Sequence, residues 1–342
     1  MAFKRVALRV TAAAATLTAG AVLAACGSSG SNTASGSQAT PPSAAPKPTI
    51  NVGYFPDISP VALMMQQKTL EKEGYKVTWT EFLKGVPQEA AAMVSGAVDI
   101  IWANTSASIA VFQKDPGLAY LIGQSITNDN QVVVPAGSPI ANVSQIEGKT
   151  ISSPGALTAP QLVLDIAMSK AGANPANVNI IQAGGPQQIP VMQQKAVAAA
   201  VTYLPFGAQM ALNGGKIIET ADQALGAPFP GGGFVASKTF AVAHPAAVVA
   251  FLKAANTAEN QLKGNTAAYY QNLATFADTT AAAISYSFAN KLVAFAPLLP
   301  NMTALTKVAQ AEEQFGFVPS GTDLVSFLHS FVNSSFAKQA AK

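Results

Sequence analysis

Short apolar runs alternate with stretches of helical periodicity from residue 49 to about residue 123. Thr49–Tyr54 has the pattern of a strand, and the apolar positions from Pro60 to Lys72 recur at helical spacing. The same alternation continues through strands predicted at 75–82, 98–102 and 118–123, with helices predicted after Pro87 and Asn104. Strands that alternate with helices at this spacing predict βα units and a mostly parallel sheet.

The pattern repeats after Gln131–Pro135. Strands are predicted at 149–152, 178–182, 197–202 and 216–218, and helices at 158–171, 187–194 and 204–212. A Gly- and Pro-rich return at 228–233 leads to Phe234–Ala236, and most of the chain from residue 244 to 336 has helical periodicity. The sequence therefore predicts two similar α/β blocks followed by helices.

The first residues have the features of an export signal. Lys4, Arg5 and Arg9 precede an Ala-rich apolar run that ends with Leu23-Ala24-Ala25-Cys26. This tetrapeptide resembles the bacterial lipobox, which implies that residues 1–25 are a lipoprotein signal peptide and that Cys26 is lipidated. The two acyl chains of a diacylglycerol are sufficient for a stable membrane anchor. An ordinary secretory signal followed by a free thiol is the alternative.

Residues 26–48 are rich in Ser, Gly, Ala, Thr and Pro. Because this composition cannot bury a core, we predict a disordered tether and a folded part that begins near Thr49. No later stretch is long and apolar enough to span a bilayer. We expect a protein attached to the outer face of the cell membrane through Cys26.

Removal of the signal changes the charge balance. The chain has 20 Lys and Arg against 17 Asp and Glu, and the three basic residues of the signal account for the difference. The remainder carries no arginine and no basic stripe, so nucleic-acid binding is not expected. A bound anion would need backbone N–H groups, hydroxyls, amides or lysine. The charged fraction of only 11% also suggests acidic surroundings.

Several phrases occur in the order and spacing of a known family. They are "TINVGYFPD" near residue 50, then "GVPQEAAAMVSGAVDIIWANTSAS" (85–108), "VVVPAGSPIANVSQIEGKTISSPGALTAPQLVLDIAMSKAG" (132–172), "QQKAVAAAVTYLPFGAQMA" (193–211) and "GGFVASKTFAVAHPAAVVAFLKAANTA" (232–258). Over residues 49–290 the chain resembles the SsuA/THI5-like solute-binding proteins of ABC importers, which serve nitrate, sulfonates, taurine and thiamin precursors.

That resemblance implies an α/β, type II periplasmic-binding-protein fold, in which two crossover strands join two α/β lobes and further helices follow. Lobe 1 is expected at 49–131 plus 237–342, and lobe 2 at 132–236, with the crossovers near Gln131–Pro135 and Gly233–Ser237. It also implies a monomer that closes around a small-molecule solute and passes it to ABC transporter permease subunits, with no cofactor and no catalytic activity.

The ligand is expected where strands end and helices begin, because free N–H groups and the helix dipole meet there. Three such junctions are rich in small polar residues, at 85–88, 103–106 and 152–158. We expect ligand contacts from Tyr54, Trp102, Asn104, Thr105, Ser152, Ser153, Leu157, Thr158 and Tyr203.

Each of these residues also has a structural interpretation. Asn104 and Thr158 could cap their own helices, and Trp102 could be a core aromatic residue. Asp57 is a further candidate, as the partner of a ligand amine or as a turn-capping residue, and Phe55, Phe206 and Gln131 are weaker candidates.

Catalysis is not expected. His244 and His329 lie near no nucleophile motif, metal-type spacing is absent, and Cys26 is the only cysteine, so the iron motif of pyrimidine-forming relatives is missing. We expect a small sulfonate, taurine-like or nitrate-like ligand. The alternatives are a pyrimidine thiamin precursor and an enzyme on the same scaffold.

Overall fold

Two five-stranded sheets organise the folded chain. The structure is a computed structural model that describes residues 46–342; the predicted signal peptide, the lipidation site Cys26 and the tether as far as residue 45 lie outside the described residues. The strands are β1 Thr49–Tyr54, β2 Lys76–Glu81, β3 Ile100–Asn104, β4 Ala119–Gln124, β5 Ile126–Thr127, β6 Asn130–Val134, β7 Thr150–Ser153, β8 Asn179–Gln182, β9 Ala199–Tyr203, β10 Lys216–Thr220, β11 Gly232–Ser237 and β12 Ala294–Phe295.

The first sheet has the strand order β2-β1-β3-β11-β4, and the second has the order β10-β6-β9-β7-β8. In each sheet three strands are parallel neighbours, namely β2-β1-β3 and β9-β7-β8. The strands next to the connections, β11 and β6, pair in the antiparallel sense. The sheets are therefore mixed. Four of the five strands in each sheet nevertheless run in the same direction, in agreement with the predicted mostly parallel sheets. The exceptions, β11 and β6, run the opposite way because they enter from the other sheet and not through a crossover helix.

Two adjacent segments connect the sheets. The chain leaves the first sheet after β4 and enters the second at β6, and it returns between β10 and β11. The two segments pair with each other, since the Gly231 N–H donates to the Ile126 carbonyl (3.0 Å) and the Asn128 N–H to the Phe229 carbonyl (3.2 Å). The connections thus lie at about 125–129 and 226–231, several residues before the expected crossovers. Gln131–Pro135 and Gly233–Ser237 instead contain strands of the sheets.

The helices pack on both sheets. They are α1 Val61–Gln67, α2 Thr69–Lys72, α3 Val86–Val94, α4 Thr105–Phe112, α5 Ala159–Lys170, α6 Gln188–Gln193, α7 Phe206–Leu212, α8 Ala221–Leu225, α9 Lys238–Ala243, α10 Pro245–Gly264, α11 Tyr270–Phe276, α12 Ala281–Ala289, α13 Met302–Gln314, α14 Leu324–Phe331 and α15 Ser334–Ala340. Short 3₁₀ turns occur at Val143–Ile146, Pro175–Asn177, Gly185–Gln187 and Thr266–Tyr269. None of the helices within residues 46–342 is long and apolar enough to cross a membrane.

The C-terminal helices contact both halves of the molecule. The helix α13 packs against α4 of the first half and against α5 of the second, and α12 packs against α7. Across the second contact, the Thr280 hydroxyl donates to Gln209 Oε1 at 2.8 Å. Between α4 and α13, the Ser106 hydroxyl donates to the buried carboxyl of Glu312 at 2.6 Å. These helices therefore support the relative placement of the two sheets, in addition to the paired connections.

Candidate functional site

The carboxyl ends of strands from the two sheets face each other. The strand β1 ends at Tyr54 in the first sheet, and β9 ends at Tyr203 in the second. The ring of Phe55, directly after β1, meets the ring of Tyr203 edge-on, with 5.5 Å between their centroids. This contact brings together the sheet edges at which ligands meet open α/β folds. We call the region around it, built from the loop after β1, the end of β3, the two connections and the end of β9, the interlobe site.

Tyr203 is held from several sides. Its ring also meets Phe206 edge-on at 5.4 Å. Gly185, in the turn after β8, lies so close that a methyl group there would be 2.7 Å from the Tyr203 hydroxyl oxygen. Burial, and then the charge of Asp57, raise the pKa of Tyr203. The charge effect places Asp57, from the first half, near Tyr203, from the second.

Trp102 is a core residue that holds Asp57. Its side chain is fully buried and packs against Phe234 at 5.2 Å between centroids. The indole N–H donates to Asp57 Oδ1 at 2.7 Å. Trp102 therefore offers no exposed aromatic wall in this structure, as the core interpretation expected, and contributes to the site through its hydrogen bond.

Two more carboxyl groups lie near Asp57. The charge of Asp57 helps to raise the pKa of Glu89, and that of Asp129 helps to raise the pKa of Asp57, although burial is the larger cause in both residues. Burial also raises the pKa of Asp129 to about 7. Glu89 is completely buried, and neither of its carboxylate oxygens has a hydrogen-bond partner. Three acidic groups from three separate segments thus converge on the site.

The other predicted residues of the first sheet have local partners. Tyr54 stacks on Phe276 at 5.1 Å. Asn104 caps α4, because its side-chain oxygen accepts the N–H of Ala107 at 3.1 Å. The Thr105 N–H donates to the Gly231 carbonyl (2.8 Å), while the buried Thr105 hydroxyl has no partner. Thr105 thus connects the end of β3 to the second connection.

The predicted residues of the second sheet bond within their own half. Ser152 accepts a hydrogen bond from Gln188 Nε2 at 3.0 Å, and the Ser153 and Thr158 hydroxyls both donate to the Gly155 carbonyl. Leu157 is 64% exposed. No described contact joins these four residues to the first sheet, so the structure does not bring them together with Asp57 and Trp102.

The three helix starts proposed for anion binding differ in their capping. Asn104 caps α4, whereas neither α3 nor α5 has a side-chain cap. The Thr158 hydroxyl points back to the Gly155 carbonyl, so it leaves the first N–H groups of α5 unsatisfied by a side chain. Of the two uncapped helices, α5 carries the hydroxyls of Ser153 and Thr158 beside its start, which makes it the better place for an anionic group.

Sequence reasoning missed Glu89 and Asp129. The buried side chains of α3 are Val86, Glu89, Ala90 and Met93, which is the apolar stripe of an amphipathic helix with a carboxyl group inside it. A charged residue at an apolar position of this stripe was therefore the feature of the sequence that could have indicated Glu89. Asp129 lies in the connection before β6, and its environment depends on Gly231 from the other connection, 102 positions further along the chain, which no local pattern encodes.

Cavities near the surface lie elsewhere. One lies between α6, α7 and the end of β6, and another lies between α13 and α14. Within residues 46–342, no group of three His, Cys, Asp or Glu residues could hold a metal ion. At the interlobe site itself, the contact of Phe55 and Tyr203 joins the two halves, and both of these residues and Asp57 are partly exposed.

Sequence comparison supports the family resemblance. Residues 117–265 match the profile of the family described as NMT1/THI5 like. The chain is 28% identical over 220 residues to the taurine-binding periplasmic protein of Escherichia coli strain K12, a region that covers 63% of this chain and 67% of that protein. The resemblance to SsuA/THI5-like solute-binding proteins is confirmed.

Solved structures confirm the fold. The alkanesulfonate-binding protein SsuA from Xanthomonas axonopodis pv. citri, bound to MOPS, matches with a TM-score of 0.71 and 21% identity over 85% of this chain and all of that chain. The periplasmic aliphatic sulphonate binding protein SsuA from Escherichia coli matches with a TM-score of 0.70 and 19% identity over 82% of this chain and 97% of that chain. The chain therefore has the predicted periplasmic-binding-protein fold.

The scaffold is not restricted to binding proteins. The desulfurization enzyme DSZB has a TM-score of 0.61 and 12% identity, and it covers 86% of this chain. The more similar proteins named above are binding proteins.

Proposed function

We propose that this chain, which resembles the SsuA/THI5-like solute-binding proteins, is an extracytoplasmic binding protein that captures a small sulfonate or taurine-like solute between its lobes and delivers it to an ABC importer permease. The observation that carries the proposal is the contact of Phe55 and Tyr203 across the two sheets. It supports a site between the carboxyl ends of β1 and β9, one from each half. The relatives named for taurine and alkanesulfonate binding support this ligand class.

The sulfonate end of such a ligand has a suitable partner in the second half. The start of α5 has no side-chain cap, and the hydroxyls of Ser153 and Thr158 lie beside it. Because the chain has no arginine after residue 9, an anion has to be bound by backbone N–H groups, hydroxyls, amides or lysine, and the start of α5 offers the first two of these. Lobe closure would then bring the remaining site residues over the ligand.

The remaining predictions complete the proposal. Lobe 1 contains the first sheet and lobe 2 contains the second, and the paired connections at 125–129 and 226–231 act as the hinge. Lipidation at Cys26 holds the monomeric protein beside its permease on the outer face of the membrane, and the protein has no catalytic activity. A lipid anchor would keep the released solute near the transporter without a membrane-spanning segment.

A thermal-shift screen of the full chain tests the function. The probes are taurine, ethanesulfonate, nitrate, bicarbonate and hydroxymethylpyrimidine. At a concentration of about 100 times Kd, a bound solute adds about 2.7 kcal/mol to stability, which raises Tm by several degrees. We expect a sulfonate to do so and to be recovered chemically unchanged. A shift with hydroxymethylpyrimidine alone would favour the thiamin-precursor alternative, and conversion of a probe to product would favour an enzyme.

A pair of variants locates the binding. Tyr203→Ala removes the ring that closes the interlobe site, so we expect it to reduce the ligand-induced shift. Tyr120→Ala is the matched control, because Tyr120 lies near the start of β4, away from the carboxyl ends of the strands. If both variants retain the full shift, the ligand does not bind at the interlobe site.

A further inference from the structure

We propose that the ligand carries a protonated amine, and that Asp57, Glu89 and Asp129 of the interlobe site receive it. This inference rests on the proposed solute-binding function and adds the chemical class that the ligand must have. It depends on which groups the site contains, on which of their atoms are unpaired, and on the absence of a protein cation to balance them.

The acceptors come from three segments of the chain. Asp57 follows β1, Glu89 belongs to α3, and Asp129 precedes β6 in the first connection. Asp57 interacts electrostatically with each of the other two carboxyl groups. A methyl group at Gly231 would be 2.4 Å from Asp129 Oδ1, which places Asp129 against the second connection as well. The three groups therefore lie at the junction of the halves, where a ligand would be enclosed.

Glu89 is the independent sign that a partner is missing. It is completely buried on the inner stripe of α3, between Val86 and Met93, and both of its carboxylate oxygens are unpaired. A buried polar group without a hydrogen bond is destabilising. An apolar residue would also pack better than a carboxyl group in this apolar stripe. A ligand that donates hydrogen bonds would remove this cost.

The unpaired atoms next to the cluster are also acceptors. The buried Asn130 side chain uses its amide N–H to donate to Asp129 Oδ1 (2.8 Å), and its Oδ1 has no partner. Trp102 donates only to one oxygen of Asp57. When its carboxyl groups are ionised, the site thus offers more acceptors than donors. A primary ammonium group supplies three donors and a positive charge in a small volume, whereas a sulfonate or nitrate supplies acceptors only.

The part of the chain that the structure describes provides no cation to these carboxyl groups. Within the described residues, no lysine or histidine forms an ion pair with Asp57, Glu89 or Asp129. The sequence after residue 9 contains no arginine. A cationic ligand would therefore be the first positive charge in the cluster, and it would favour the ionised form of carboxyl groups whose pKa values are raised without it.

Calorimetric titration of the full chain with a matched set of ligands tests the proposal. All three ligands carry a sulfonate group. Taurine also carries an ammonium group, isethionate has a hydroxyl in its place, and ethanesulfonate has neither the ammonium nor the hydroxyl. We expect taurine to bind at least tenfold more tightly than either of the other two. Because the carboxyl groups are more readily ionised beside a cation, we also expect taurine binding at pH 6 to release protons, measured as a heat that varies with the ionisation enthalpy of the buffer.

Isosteric variants identify the residues. Glu89→Gln and Asp57→Asn each remove one group that can ionise beside the amine, with little change in volume, and we expect them to reduce the preference for taurine at least tenfold. Asp165→Asn is the control, because Asp165 is a partly buried acid on α5 whose side chain pairs with Gln161. The ligand comparison in the unmodified chain stands even if a variant fails to fold.

The outcomes separate this inference from the proposed function. Equal affinity for taurine, isethionate and ethanesulfonate overturns the amine site and leaves sulfonate binding intact. Binding of ethylamine or ethanolamine without binding of any sulfonate supports the amine site and contradicts the sulfonate assignment. If none of the amines binds, or if Glu89→Gln retains the full preference for taurine, the three carboxyl groups are neutral structural acids and the inference is wrong.

Discussion

The ring of Tyr203, at the end of β9, meets the ring of Phe55 edge-on at 5.5 Å, and this pair links the two sheets across the interlobe site. Phe55 belongs to the loop after β1, whose next residues lead to Asp57. The pair therefore lies beside the loop that carries Asp57. If the two halves open for ligand exchange as proposed, these two rings have to separate.

Replacement of either ring should favour the open form. An edge-to-face aromatic pair contributes about 0.5–1.5 kcal/mol beyond the area that it buries. We expect Phe55→Ala and Tyr203→Ala to shift the population toward separated lobes, measured as an increase in the radius of gyration in solution scattering without ligand. In a double-mutant cycle, the second substitution should add little to the first. Full additivity of the two effects would mean that the rings do not act as a pair.

The stability of the protein should decrease as the pH rises from 5 to 9. Burial raises the pKa of Glu259 to about 8, of Asp129 to about 7 and of Asp165 to about 6. When the pH lies between the unfolded pKa values near 4 and these folded pKa values, the native state holds more protons than the unfolded state. The stabilisation is therefore fully present below pH 4 to 5 and is lost as the pH passes through 6, 7 and 8.

Urea unfolding at pH 5, 7 and 9 measures this effect. We expect the free energy of unfolding to fall over this range by up to about 8 kcal/mol, on the order of 1.4 kcal/mol for each unit by which a folded pKa lies above pH 5. Glu259→Gln keeps a hydrogen-bonding partner for Ser125 and should flatten the profile. A maximum near neutrality with a steep loss toward pH 4 would contradict the prediction, and with it the expectation of acidic surroundings.

The indole N–H of Trp102 should contribute to stability through Asp57. Trp102→Phe retains most of the buried ring but removes the donor to Asp57 Oδ1, so we expect a loss of about 1–3 kcal/mol. Trp102→Ala also leaves a cavity and should cost about 3–5 kcal/mol. Trp79→Phe is the control, because the indole N–H of Trp79 has no hydrogen-bond partner. Equal losses for the two Trp→Phe variants, measured by urea unfolding, would show that the bond to Asp57 contributes nothing.

Local patterns predicted the elements better than their connections. The strand at Thr49–Tyr54 and the helices over 159–170 and 302–314 follow from periodicity, and the family resemblance predicted the fold. The antiparallel entry of β6 and β11 depends on pairing between distant segments, which periodicity does not encode. The helix predicted over 60–72 is divided at Lys68, which adopts a left-handed backbone conformation that the apolar periodicity did not indicate.

The candidate site was predictable only where a residue's role follows from its position at a strand end. Tyr203 lies at the interlobe site, as expected from its place after an apolar strand. Asn104 serves as a helix cap, the role that its residue type favours, and Trp102 is buried. Glu89 and Asp129 could not be assigned, because the first is notable for lacking a hydrogen-bond partner in three dimensions and the second for its contact with the distant Gly231.

Gly232 should be the least replaceable residue of the glycine-rich return. A methyl group there would lie 2.4 Å from a ring carbon of the buried Trp102, and the neighbouring strand and core leave the indole no space to move. We expect Gly232→Ala to reduce the free energy of unfolding by about 1–3 kcal/mol, as overpacking does, and to disturb the hydrogen bond from Trp102 to Asp57. Gly264→Ala is the matched control, because a methyl group at the end of α10 would contact nothing, and this change should leave stability equal or raise it by up to about 1 kcal/mol. Urea unfolding and the near-ultraviolet circular dichroism of the tryptophans measure both effects. If Gly232→Ala matches Gly264→Ala in both measurements, the return is a flexible linker, and close packing against Trp102 does not require a glycine there.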